Sequence, residues 1–265
     1  MGSQPRQSGS PPSNLGYTPA AKVSEPWAVD KVLATMSRHE APVRGSSSPL
    51  AFFHMLERLK TTKREGWRRF GILEGESISD HMYRMSMISM LAPASLSPRL
   101  NLGKCIKMCL IHDMAELLVG DITPKDGVAK PEKHRREAST MDFLTEDLLG
   151  GVEGGVAGEE IRAIWQEYED SQTLDSKFVH DVDKMELLLQ MVEYERRAEG
   201  NVELSEFTHV ADLMTLPETR VWADEVLRER EAFWGAASKH RVENEKTRRQ
   251  QDAYYDTATK PQRLS

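Results

Sequence analysis

The chain has 265 residues, is 39% hydrophobic and carries a formal net charge of −7, a length sufficient to bury one substantial core. The charge is uneven: residues 49–238 sum to −12 and both ends are net positive, so an acidic body argues against a broad nucleic-acid-binding face. No stretch approaches the roughly 18 apolar residues that span a bilayer, and the N-terminus has neither an apolar signal core nor an Arg-rich presequence, which predicts a cytoplasmic or nuclear protein off the membrane.

In chain order, residues 1–25 read as a disordered tail whose start is dominated by Ser, Pro, Gly and Gln (GSQPRQSGSPPSNLG). Residues 26–48 predict a short docking helix and a linker: Trp27, Val29, Val32, Leu33 and Met36 recur at helical intervals until APVRGSSSP breaks them. The globular domain is placed at 49–238. Its first helix begins near Leu50, a loop carries Gly66, Trp67, Gly71 and Gly75, and Ser77 or Ser79 caps a helix at about 80–91. Met82, Met85, Met87 and Met90 in that helix are read as core, because methionine fills gaps between helices far more often than it ligates a soft metal. Residues 105–119 (CIKMCLIHDMAELLV) are the most apolar stretch and predict one buried central helix stopped by Gly120. Cys105 and Cys109 stand four apart on it, a poor geometry for a disulfide, and are read as reduced. Further helices are expected at 132–149, 159–168, 177–198 and 218–237. The glycines from Gly150 to Gly158 read as a surface loop, since no strand precedes them and no Gly-Lys-Ser/Thr follows. Residues 239–265 are a polar tail. With no alternating strand pattern and no internal repeat, the fold class is all-α, a single helical bundle.

The chemistry lies in the polar residues that the apolar helices carry. His112, Asp113 and Glu116 fall within one helical turn of each other. Burying an imidazole and two carboxylates is costly unless they are paired or bind a metal. His81 shares its helix face with Met85 and Ile88 and so points inward. A lone inward histidine is more often a hydrogen-bonded core residue than a ligand; a second buried histidine beside an aspartate shifts that balance. The late segment FVHDVDKMELLLQ offers two aspartates. Asp181 has Lys177 and Lys184 at helical spacing and reads as a solvated surface residue; Asp183 has Val179 and Leu187 and reads as buried. Asp183 is therefore the fourth ligand candidate.

His81, His112-Asp113 and Asp183 resemble the H…HD…D signature of the HD-domain metal-dependent phosphohydrolases. Gly66-Trp67, ESISDH at 76–81, IHDMAELLVGDITP at 111–124 and EYE…DVDKMELLLQMVEYE at 167–195 are similar to the 5′-deoxynucleotidase branch, over roughly residues 50–235. The resemblance implies an HD-domain bundle with the metal site in its core, and a 5′-deoxynucleotidase that hydrolyses deoxyribonucleoside 5′-monophosphates by attack of metal-activated water. It implies that His81, His112, Asp113 and Asp183 hold a divalent cation (Mn, Co, Mg, Fe or Zn). Glu116 and Asp121 match catalytic carboxylates that orient water, handle the proton of the leaving 5′-oxygen, or hold a second ion with the Ile122 carbonyl. Trp67 matches an aromatic residue that disfavours a ribose 2′-hydroxyl. Bacterial members carry arginine directly before it, where this chain has Gly66; Arg64, with Arg68 and Arg69 nearby, is taken as the phosphate binder. Asp121 and Tyr168, Glu169, Asp170 and Ser171 match substrate contacts, and the family is homodimeric. Three alternatives stay open: an HD-type hydrolase of nucleoside triphosphates, cyclic nucleotides or guanosine polyphosphates; a non-catalytic metal-stabilised binding protein; and a helical scaffold with a satisfied polar core.

Overall fold

The computed structural model describes residues 16–235; the tail expected at 239–265, and residues 1–15 of the one expected at 1–25, lie outside the described residues. Among the described residues there are ten α-helices: α1 Val29–Leu33, α2 Leu50–Thr61, α3 Glu65–Arg68, α4 Ile78–Ser89, α5 Leu102–Ile111, α6 Glu116–Val119, α7 Lys130–Asp142, α8 Val156–Asp170, α9 Leu174–Arg197 and α10 Pro217–Trp234. A π-helical turn, Phe143–Leu148, continues α7, and a 3-10 segment, Ser205–Leu213, precedes α10. Among the described residues the only β pairing is an isolated antiparallel bridge between Lys63 and Ser77. The expected all-α bundle is what forms.

Helix starts follow local chemistry. Ser77 accepts from the Asp80 N–H and Asp80 accepts from the Ser77 N–H, a reciprocal capping box that starts α4. Asn101 and Thr173 cap α5 and α9 more simply, their side chains accepting the Lys104 and Ser176 N–H groups. The 24-residue α9 is the axis of the bundle: it packs on α4, α5, α8 and α10. One end joins a large apolar cluster with Phe52, Met85, Met108, Leu118 and Trp165, and the other a second cluster with Trp67, Phe207, Val210 and Val226.

Several local expectations change. The continuous helix expected at 105–119 is two helices, α5 and α6, joined by a tight turn at His112–Ala115. There the Met114 and Glu116 N–H groups bond back three residues, to Ile111 and Asp113, instead of four. The docking helix shrinks to the five residues of α1, and the loop holding Gly66 and Trp67 contains the short helix α3. Of the methionine run, Met82 and Met85 are core residues while Met87 and Met90 are exposed, as the helical period requires once one face of α4 is buried. The glycine segment is not open loop throughout: Gly158 lies inside α8, where a Cβ would stand 2.4 Å from the Thr145 carbonyl oxygen. Cys105 and Cys109 are free and buried, and burial pushes the Cys109 thiol up to about 12.

Residues 16–25 also differ from the tail reading, because they follow the surface of the domain. Thr18 donates its N–H to the Thr61 carbonyl and Tyr17 donates its hydroxyl to Glu65, while Ala21 and Val23 pack on the larger core cluster. This strap crosses Gly120, which ends α6 at φ 79°, ψ 165°, a conformation essentially restricted to glycine. A Cβ at position 120 would lie 2.7 Å from the Ala20 Cβ. Gly120→Ala is therefore expected to cost about 2 kcal/mol, from backbone strain plus the displaced strap. Equilibrium unfolding in urea measures it, and a midpoint equal to wild type would show that the strap and the turn yield freely.

Candidate metal centre and its surroundings

The site forms where α4, the α5–α6 turn and α9 meet. His81 comes from the buried face of α4, His112 and Asp113 from the turn, and Asp183 from α9. His81 Nε2 stands 3.1 Å from Asp183 Oδ1 and 3.8 Å from Asp113 Oδ2, and His112 Nε2 stands 3.2 Å from Asp113 Oδ2. Neither Nε2 atom reaches hydrogen-bond geometry with these carboxylates, and both are buried without any hydrogen-bond partner. The opposite ring nitrogens are satisfied. His81 Nδ1 donates to Glu186 Oε2 at 2.6 Å and His112 Nδ1 donates to the Cys109 carbonyl at 3.0 Å. Both rings therefore turn the same nitrogen towards the aspartates.

Two imidazole nitrogens and the Asp113 carboxylate close together, with Asp183 beside His81, are a donor set suited to a divalent transition metal, and a buried polar atom left unpaired is otherwise costly. His81, His112 and Asp113 offer atoms close enough together to hold one ion. The residues thus fit a metal. Electrostatics agree: burial alone would raise the carboxyl groups, yet His112 and Arg64 hold Asp113, and His81 and His112 hold Asp183, well below the usual carboxylate range. Burial and Arg64 oppose protonation of His81, but Glu186 and Asp183 outweigh them and lift it to about 10. Loading a metal on Nε2 must then release a proton.

Around these four groups the structure sorts the remaining candidates. Asp121 accepts the Glu65 N–H at 2.6 Å, anchoring the start of α3 beside the Gly120–Asp121 turn. That anchor brings Arg64 in, with Nη1 3.1 Å from Asp113 Oδ2. The other arginines point elsewhere: Arg68 pairs with Glu65 and lies over the Tyr17 ring, and Arg69 pairs with Glu206. Glu116 is buried, with Oε2 unpartnered; burial and the charges of Asp113 and Asp121 raise it well above the usual carboxylate range. Trp67 is only 2% exposed. Its ring is packed by Tyr194 and Phe207 and its Nε1 donates to Glu76 Oε1 at 2.8 Å, so it forms a rigid wall behind Arg64 instead of an open face. Tyr168 to Asp170 are the last residues of α8, and Ser171 is its left-handed cap. Tyr168 lies against His112, with its hydroxyl 3.4 Å from Asp183 Oδ2. Glu169 is bound by His134, and Asp170 turns back to Gln166, away from the metal ligands.

The two late aspartates are placed differently from the reading that separated them. Asp181 is not a solvated surface residue; it is completely buried. It accepts from the Thr215 and Leu216 N–H groups at 2.9 and 2.8 Å and from the Thr219 hydroxyl at 2.7 Å, capping α10 from a neighbouring helix. Asp183, with a side chain 28% exposed, is the one turned to His81.

Sequence reasoning missed two groups. Lys133 of α7 lies 3.6 Å from Glu116 Oε1 and donates to the Ile122 carbonyl at 3.3 Å; in sequence it is one charge among many in a mixed-charge helix. Glu186 is completely buried behind His81, and a glutamate inside the run MELLLQ was the available signal.

Comparison with known proteins identifies the family. The HD-domain family profile matches residues 56–219. The 5′-deoxynucleotidase hdd1 of Schizosaccharomyces pombe is 43% identical over 197 residues, covering 74% of this chain and 98% of that protein. The human 5′-deoxynucleotidase HDDC2 is 40% identical over 162 residues, covering 61% and 73%. Among solved structures, the HD domain-containing protein YGK1 superposes with a TM-score of 0.55 at 30% identity, covering 77% of this chain and 92% of that one.

Proposed function

Because this chain belongs to the HD-domain family, we propose that it is a metal-dependent 5′-deoxynucleotidase, releasing inorganic phosphate from deoxyribonucleoside 5′-monophosphates. The carrying observation is the pair of buried, unpartnered Nε2 atoms of His81 and His112 facing Asp113 and Asp183. These four residues would hold the cation, with Mn, Co, Mg, Fe and Zn as the candidate ions. When bound there, a divalent cation supplies charge neutralisation at a phosphoryl oxygen and lowers the pKa of water.

The rest of the reaction is assigned to the chain itself. Arg64 binds the phosphate: its guanidinium stands at the metal ligands, where it can exchange Asp113 for a phosphoryl oxygen in a two-pronged contact. Burial and its acidic neighbours favour the protonated form of Glu116, and its free Oε2 is assigned the delivery of a proton to the leaving 5′-oxygen. Asp121 fixes α3, and with it Arg64, while its carboxylate faces the substrate. The Lys133 ammonium already bridges Glu116 and the Ile122 carbonyl, two of the three groups proposed for a second ion; this supports one cation with a lysine beside it. Trp67, locked in its packing, sets the wall that disfavours the 2′-hydroxyl. Tyr168, against His112, is assigned a substrate contact, as are Glu169, Asp170 and Ser171 at the end of α8. We further propose a homodimer, as the family resemblance implies.

The test is phosphate release from paired deoxy- and ribonucleoside 5′-monophosphates after chelation and re-addition of Mn, Co or Mg. Metal-dependent release favouring the deoxy substrates is expected. Failure with every metal would move the assignment to another HD-type substrate or to a non-catalytic binding protein.

A further inference from the structure

The two helices that carry His81 and Asp183 each present a second polar residue three positions later, one turn deeper along the interface. On α4 this is Arg84 and on α9 it is Glu186. The four side chains interlock. Glu186 Oε2 accepts from His81 Nδ1 at 2.6 Å, while its Oε1 accepts from Arg84 Nε at 2.8 Å. Arg84 is held in turn by Glu193 at 2.6 Å and Gln190 at 2.9 Å. Glu186 and His81 are both completely buried, whereas Arg84 reaches the surface with a side chain 29% exposed.

We propose that Glu186, steadied by Arg84, is the positioning residue that fixes the ring orientation and tautomer of His81. A neutral imidazole has one N–H, and an ionised carboxylate only accepts. With Nε2 deprotonated, as a bound cation requires, Glu186 keeps the remaining His81 proton on Nδ1, and the Nε2 lone pair is aimed between Asp113 and Asp183. Carboxylate–histidine–metal relays of this kind raise ligand basicity and hold the ring in place. A buried carboxylate needs a counter-charge to stay ionised, and Arg84 brings one from the surface without entering the site. Glu186 is not itself a ligand of the same ion. Glu76, His81 and Glu186 lie near enough to hold a cation, but the His81 Nδ1 that faces Glu186 is already hydrogen-bonded, and both Glu186 oxygens are engaged.

This inference rests on His81 being a metal ligand, and the experiment separates the two. Cobalt is titrated into chelated wild type, Glu186→Gln, Glu186→Asp and Asp113→Ala, recording the dissociation constant and the visible spectrum of the bound ion, with the melting temperature of each metal-free protein. The amide of Glu186→Gln has a single acceptor for both His81 and Arg84, so affinity is expected to fall about 10- to 100-fold, with a changed cobalt spectrum. A purely structural Glu186 would lower the metal-free melting temperature and leave the dissociation constant at its wild-type value; that result overturns the proposal. If Glu186→Gln does not fold, Glu186→Asp decides. It keeps the charge that Arg84 needs but withdraws the carboxylate from His81 by one methylene, and wild-type affinity there is equally fatal. Wild-type cobalt binding by Asp113→Ala would instead remove the ligand assignment itself.

Discussion

Asp113→Ala is expected to lose metal-dependent phosphate release by at least about 10³-fold, because a bound metal is worth several kcal/mol of transition-state charge stabilisation at about 1.4 kcal/mol per decade. The Asp113 carboxylate is shared among three side chains of the site. Its Oδ2 is 3.1 Å from Arg64 Nη1, 3.2 Å from His112 Nε2 and 3.8 Å from His81 Nε2. Removing it takes away an anionic ligand and also frees Arg64 from its observed position. The helical fold should survive, since Asp113 sits in a turn at the edge of the core and Met108, Leu117 and Leu118 around it keep their packing. Phosphate release measured alongside far-ultraviolet circular dichroism separates the two effects. Near-wild-type turnover by a folded Asp113→Ala protein, after chelation and reloading, would sink the proposed chemistry.

Asp181→Ala should do the reverse, unfolding the protein far more readily while sparing the chemistry of molecules that remain folded. The side chain is completely buried and takes hydrogen bonds from two backbone N–H groups and a threonine hydroxyl at the start of α10. Alanine strands these buried donors and removes a helix cap, at a combined cost of about 4 kcal/mol. That is a large share of a typical stability of about 5–15 kcal/mol. Asp181→Asn, which keeps one acceptor oxygen, should lose less. Chemical denaturation of the three proteins, with cobalt affinity measured below the transition, tests both halves. Unchanged stability would mean that α10 is held by its apolar contacts alone. Unchanged stability with lost metal binding would show that the wrong late aspartate was assigned to the site.

These two aspartates mark where a single helix stops being informative. Asp181 has Lys177 and Lys184 at helical spacing and looks solvated, yet its partners come from Thr215 to Thr219, more than thirty residues later. Spacing along α9 describes only α9; it is silent about the helix that lands on that face. The same limit hid Glu186, whose partners His81 and Arg84 lie about a hundred residues earlier, and Lys133, which looked like one member of a solvated charge pattern. It is equally silent about Trp67, whose ring is packed between Tyr194 and Phe207 from segments more than a hundred residues later.

The sequence by itself determined the fold class, a helix start at Ser77 or Ser79 and the family. Apolar periodicity, caps and motif spacing are local properties, written in residues a few positions apart. The same reading placed His81, His112, Asp113 and Asp183 on helices or turns that bury polar groups, because burying such groups without a partner or a metal is costly enough to be visible in the pattern. Only the tertiary structure decided which nitrogen each histidine presents, which arginine reaches the ligands, that 105–119 breaks into α5 and α6 at the histidine–aspartate pair, and that residues 16–25 strap across Gly120. Those outcomes depend on hydrogen bonds and contacts between segments far apart in the chain, and their geometry exists only once the helices have packed around α9.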